Sequence, residues 1–115
     1  MNADTRPYAI VTGASSGIGL AMKLRGDDRV AVCFFGEGAT NEGAFHEGLN
    51  FAAVQGLPIV YAGENNLYGA STSFSAVSRV TDVAARAGAY GGTARIVDGM
   101  DVLAVRDATN LAVAA

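Results

Sequence analysis

With one cysteine, one lysine, no excess of basic residues and no apolar run of membrane length, this 115-residue sequence excludes a good deal by what it has little of. The lone Cys33 cannot close an internal disulfide, which suits a reducing compartment and makes the cytoplasm the expected location. A formal net charge of -3 gives no positive field for nucleic acid, so no such partner is expected. No apolar stretch approaches the roughly 20 residues that span a bilayer, and no membrane association is expected. Asp4 and Arg6 interrupt the amino terminus before any stretch suited to a secretion signal. The only lysine is Lys23, and none of Tyr8, Tyr61, Tyr68 or Tyr90 has a lysine four residues on. Aromatic residues are few at 8% while half the chain is apolar, which predicts thin side-chain layers, one modest core and one structural domain.

What the sequence does contain is concentrated in two loops. The apolar run 30–35 leads into Gly36-Glu37-Gly38-Ala39-Thr40-Asn41, and the shorter run 57–61 leads into Glu64-Asn65-Asn66-Leu67-Tyr68-Gly69. Between them Phe45, Leu49, Ala52 and Ala53 recur at helical spacing. The pattern predicts a strand, helix, strand unit with both loops at the carboxyl edge of a sheet, where open α/β sheets place ligands. Gly36 and Gly38 would let the backbone approach a phosphate, with the free amides of the following helix aimed at the anion. A diphosphate also needs a cation. Glu37, a side-chain amide oxygen of Asn65 or Asn66, and a nearby backbone carbonyl are the hard oxygen donors that Mg²⁺ prefers.

Over about 23–113 these residues resemble the alpha subunit of the thiamine-diphosphate-dependent 2-oxo acid dehydrogenases, with the acetoin dehydrogenase branch most similar. The family's Gly-Asp-Gly, spacer, Asn-Asn motif falls on Gly36-Glu37-Gly38 and Asn65-Asn66, and Val97-Asp98-Gly99-Met100-Asp101 is also similar. The resemblance implies Mg²⁺ ligands at Glu37, Asn66 and the backbone carbonyl of Tyr68. It implies cofactor contacts at Gly36, Gly38, Ala39, Asn65 and Asn66. It further implies a beta subunit that supplies the glutamate activating the cofactor, and a lipoyl acyltransferase as acyl acceptor. The activity implied is oxidative decarboxylation of a 2-oxo acid, or acetoin cleavage, with no turnover by this chain alone. One departure is chemical: Glu37 stands where the family has aspartate, and the extra methylene displaces the carboxylate by about 1.5 Å. Mg²⁺ holds its ligands at about 2.0–2.1 Å, so either the loop moves or affinity falls. A second is one of extent, since the family continues past the last predicted helix with a strand and a phosphate-contacting loop.

The opening segment has a different resemblance. Thr12-Gly13-Ala14-Ser15-Ser16-Gly17-Ile18-Gly19, after the apolar Tyr8-Ala9-Ile10-Val11, is similar to the NAD(P)-binding turn of short-chain dehydrogenases. In that motif the third glycine allows helix and strand to pack closely. The chain thus reads as a composite, with 1–22 from one family, 23–115 from the other and a join near 17–22. Alternative functions are an NAD(P)-binding module or an inert fragment that associates through an incomplete sheet.

The fold expected is α/β, a truncated, mostly parallel sheet with flanking helices of Rossmann-like or thiamine-diphosphate-binding type. Strands are expected over 8–12, 29–35, 57–61 and 95–97, and helices over 16–25, 40–55, 78–89 and 102–115. Asp101 is the expected N-cap of the last helix, and 69–78 an expected mobile loop beside the site. His46 reads as a packing or surface residue, Cys33 as a small core residue, and Glu64 either as a residue orienting the Asn-Asn loop or as an exposed carboxylate. An incomplete sheet with bare edges predicts self-association, making a homo-oligomer a possible state.

Overall fold

A computed structural model describes residues 15–115; the strand expected over 8–12 and the turn at Gly13 lie outside these residues. Helix α1 (Ser15–Arg25), strand β1 (Ala31–Gly36), helix α2 (Gly43–Gln55) and strand β2 (Ile59–Glu64) follow one another. β1 and β2 pair in parallel, with Ala31 opposite Ile59 and Gly36 opposite Glu64. Parallel neighbours need a crossover, which α2 supplies, so both strands end at the same edge. The chain is therefore α/β, with a short parallel sheet and flanking helices.

α1 settles against this unit through a missing side chain. A Cβ on Gly19 would lie 2.7 Å from both Cδ1 and Cγ1 of Ile59 on β2, so only glycine permits this approach. The Ser16 hydroxyl donates to the Gly48 carbonyl of α2 at 3.4 Å, and the Lys23 ammonium donates to the Gln55 carbonyl at the other end. Tyr61 of β2 adds a hydroxyl bond to the Gly48 carbonyl at 3.3 Å. Among the described residues only Ala52 and Phe74 are buried apolar side chains, which agrees with the thin core expected from composition. Val32 and Phe34, which share one face of β1, remain exposed, as do Val102, Leu103 and Leu111 on the last helix.

Beyond β2 the chain turns back in a two-stranded antiparallel ribbon, β3 (Tyr68–Gly69) and β4 (Thr72–Ser73), followed by one helical turn, α3 (Phe74–Val77). The segment expected as a loop over 69–78 thus carries part of the β3–β4 ribbon and the α3 turn. Phe74, 1% exposed, anchors it, and the Phe74 amide donates to the Leu67 carbonyl at 2.8 Å.

Three other expectations need correction. The helix expected from residue 40 begins at Gly43 and is preceded by a 3-10 turn, Glu37–Asn41. The Thr40 hydroxyl bonds the Glu37 carbonyl at 2.6 Å and Glu42 is extended (φ -85, ψ 140), so the tight turn closes on itself before the helix starts. The helix expected over 78–89 shrinks to a 3-10 segment, Ala84–Tyr90. The Ser78 hydroxyl donates to the Val80 carbonyl and the Asp82 carboxylate accepts from the Ala84 amide, bonds that compete with a helical ladder among β-branched residues. No strand forms over 95–97, where Ile96 is 77% exposed and no described neighbour offers a ladder. The last helix, α4 (Val102–Ala114), starts as expected: the Asp101 carboxylate accepts from the Leu103 and Ala104 amides, both at 3.0 Å.

Candidate functional site

Parallel pairing puts Gly36 beside Glu64, so the residues that follow them, Glu37 and Asn65, leave the sheet side by side. The two sequence loops are thereby brought to one edge. A second contact joins them further out: a Cβ on Gly38 would stand 3.5 Å from the Gly69 Cα. The 3-10 turn and the hairpin therefore touch backbone to backbone.

Glu37 is the least expected residue of the group. It is 3% exposed, and its Oε1 has no hydrogen-bond partner among the described residues. A solvated loop carboxylate is thereby excluded. Glu37 lines a cranny of about 20 Å³ with Phe35, Gly63, Glu64 and Asn65, room for about one water or ion. A buried polar oxygen without a partner costs on the order of 1–3 kcal/mol, so this position asks for a ligand.

The asparagines are placed differently. Both are exposed, and each side-chain oxygen accepts a bond two residues on, Asn65 from the Leu67 amide at 3.1 Å and Asn66 from the Tyr68 amide at 3.0 Å. These Asx turns hold Leu67 at φ 70, and Ala70 in the hairpin bend has φ 55. Ordinary positive-φ turn chemistry does not account for the motif residues, because Gly36, Gly38, Asn65 and Asn66 are all absent from the positive-φ positions. Gly36 is extended (φ -84, ψ 156) and Gly38 serves the approach to Gly69. An amide oxygen has a second lone pair, so Asn66 keeps acceptor capacity, and the Asn65 amide nitrogen is a remaining donor. Tyr68 sits on β3, next to Gly69. Ala39 lies within the 3-10 turn, where its carbonyl accepts from the Glu42 amide at 3.1 Å.

Sequence reasoning missed Arg86. Its guanidinium donates to the Thr40 carbonyl, to the Asn41 side-chain oxygen at 3.2 Å and to the Ser78 hydroxyl at 2.7 Å. Asn41 also donates to the Val77 carbonyl at 3.3 Å. Together these bonds tie the end of the 3-10 turn to the segment after α3. The bonded residues are 46 and 8 positions from Arg86, and no local pattern reports such a contact.

The residues left as bland fall mostly where expected. His46 bonds the Tyr90 hydroxyl and meets the Phe45 ring edge-on at 5.4 Å, a packing role. Cys33 is half-buried within β1. Glu64 is exposed but borders the Glu37 cranny. Among the described residues no cluster of three or more His, Cys, Asp or Glu forms a metal site. The donor set at this edge is instead one carboxylate, amide oxygens and backbone carbonyls, which suits Mg²⁺. The orphaned Glu37 oxygen suits such a cation.

A parallel strand, helix, strand unit with glycine and amide loops at one carboxyl edge defines the class, an α/β unit with a short parallel sheet and flanking helices. The chain belongs to the dehydrogenase E1 component family, whose sequence pattern matches residues 5–115. It is 48% identical over 97 residues to the alpha subunit of acetoin:2,6-dichlorophenolindophenol oxidoreductase of Bacillus subtilis, covering 84% of this chain and 29% of that protein. It is 43% identical over 98 residues to the pyruvate dehydrogenase E1 component subunit alpha of Rhizobium meliloti, covering 85% and 28%. Against the human mitochondrial 2-oxoisovalerate dehydrogenase subunit alpha it is 43% identical over 103 residues, covering 90% and 23%. The chain spans less than a third of the length of these relatives. The family match runs through the opening segment, so the expectation of a short-chain dehydrogenase-like start joined near 17–22 is not supported. Gly19, the third glycine of that apparent motif, meets Ile59 of the parallel sheet.

Proposed function

We propose that this chain is the segment of an E1 alpha subunit that holds the diphosphate of thiamine diphosphate and its Mg²⁺, in an enzyme acting on a 2-oxo acid or acetoin. The observation that carries this reading is the buried, unpartnered Oε1 of Glu37 at the carboxyl end of β1. Glu37, the Asn66 amide oxygen and the Tyr68 carbonyl would hold the cation. Gly36, Gly38, Ala39 and Asn65 would line the diphosphate, with backbone amides and the Asn65 amide nitrogen as donors. Thiamine diphosphate, when bound, supplies the carbanion-stabilising chemistry of decarboxylation. The protein's part is to bind and orient. The Asx turns at Asn65 and Asn66 fix the loop that presents Tyr68, and the Arg86 bonds fix the turn that presents Gly38 and Ala39.

A beta subunit and a lipoyl acyltransferase are the partners in this reading, and the chain alone does not turn over. The described residues belong to one domain, and the cytoplasm is the proposed location; the continuity of the family match and the free Cys33 support this. Exposed Val32 and Phe34 on β1, with Val102 and Leu111 on α4, favour self-association of the isolated chain. An NAD(P)-binding module is the reading the family match disfavours.

Calorimetric titration decides between them. Thiamine diphosphate is expected to bind only with Mg²⁺ present, and NADH and NADPH are expected to give no heat. Binding of either nicotinamide cofactor, or binding of thiamine diphosphate that ignores metal, would overturn the proposal.

A further inference from the structure

Asn41, at the end of the 3-10 turn, shares an open groove of about 360 Å³ with Ser78, Arg79, Arg86 and Tyr90. We infer that it binds a small organic anion, with the carboxylate or phosphate head on the two arginines. The electrostatics point this way. Arg86 is part-buried, yet the three acceptors it reaches are all neutral: a carbonyl, an amide oxygen and a hydroxyl. Charge withdrawn from water is costly unless an opposite charge compensates it. Arg86 forms no ion pair among the described residues, and no Asp or Glu lines the cavity. In a chain with net charge -3, Arg79 and Arg86 both line a groove that no carboxylate lines.

Donor geometry agrees. A guanidinium has five N–H donors, and the bonds of Arg86 leave some of them unused. Arg79 makes no hydrogen bond among the described residues and is exposed. Two planar donor groups suit the paired oxygens of a carboxylate or phosphate. Val77 and Val80 give the groove an apolar side that would receive a short carbon skeleton. Arg86 and Asn41 wall the cavity and also brace the turn that presents Gly38 and Ala39, but the anion is proposed on Arg79 and the free Arg86 donors, so the inference does not rest on thiamine diphosphate binding.

The test uses the full chain without Mg²⁺ or thiamine diphosphate, titrated calorimetrically with inorganic phosphate and with succinate, against sodium chloride at matched ionic strength. At least one of the two oxyanions should bind above the chloride baseline, and which one does so identifies the head group. Arg79→Ala removes an exposed side chain, so its melting temperature in chloride should match the parent while oxyanion affinity falls about tenfold, or roughly 1.4 kcal/mol. Arg79→Glu, which places a like charge against the ligand, should abolish binding. No response above chloride to either oxyanion, or parental affinity in Arg79→Glu, overturns the inference.

Discussion

Gly38 and Gly69 meet backbone to backbone: a Cβ built on Gly38 would lie 3.5 Å from the Gly69 Cα, and one built on Gly69 would lie 3.6 Å from the Gly38 Cα. This contact joins two loops that are 31 residues apart in sequence and presents them as one surface. A methyl group at 3.5 Å is in ordinary van der Waals contact, so Gly38→Ala should keep the fold, with a change in stability below about 1 kcal/mol. Gly38→Val sets a branched side chain against the hairpin backbone and should cost more than the alanine change, about 1–3 kcal/mol. Chemical denaturation of both variants checks this. Equal stability of the valine and alanine variants would show that the loops do not touch.

Glu37 should give two readouts of opposite sign. Without metal, Glu37→Gln replaces an unpartnered acidic side chain in a buried place and should raise stability by about 1 kcal/mol, since an unsatisfied buried acidic group costs more than a neutral one. The same change should remove Mg²⁺-dependent binding of thiamine diphosphate. Glu37→Asp shortens the reach by about 1.5 Å, towards the distance the family's aspartate provides. It should tighten metal-dependent binding about tenfold, or roughly 1.4 kcal/mol. Identical metal titrations for parent, Asp and Gln variants would remove Glu37 from the cation site.

Gly19→Ala places a methyl 2.7 Å from two carbons of Ile59, closer than real side chains approach. Overpacking of this kind costs about 1–3 kcal/mol. In an Ile59→Ala background both opposing carbons are gone, and the cost of Gly19→Ala should largely vanish. A double-mutant cycle should therefore return a coupling of about 1 kcal/mol or more. Additive effects would mean that α1 does not rest on β2.

Asp101→Ala removes the two bonds that start α4. Loss of such a cap costs about 1 kcal/mol. Because α4 carries no buried residue, the loss should appear as local fraying rather than as global unfolding. Amide exchange of the helix should quicken about fivefold while that of β1 and β2 stays at parental rates. Equal acceleration throughout the chain would show α4 to be part of the cooperative core.

Much of the frame was legible because it is local. Apolar runs placed β1 and β2 and helical spacing placed α2, while α1 and α4 lie within a few residues of their expected ranges, and Asp101 sits where short polar side chains cap helices. The same local reading failed over 78–89, where a helix was expected but side-chain bonds from Ser78 and Asp82 hold the chain in tighter turns. It failed again over 95–97, because a strand exists only with a neighbour to pair with.

By itself the sequence determined which residue types stand at the ends of which strands: glycines and Glu37 after the first, a pair of asparagines after the second. Residue type and spacing are inscribed along the chain, and turn chemistry acts within a few positions. Tertiary structure alone decided that Glu37 is buried with a bare oxygen, that Gly38 is answered by Gly69, and that Arg86 clasps Thr40 and Asn41 from 46 and 45 residues away. Burial and long-range bonds depend on where the parallel pairing of β1 with β2 carries each loop, and that is a property of the assembled sheet, not of any segment.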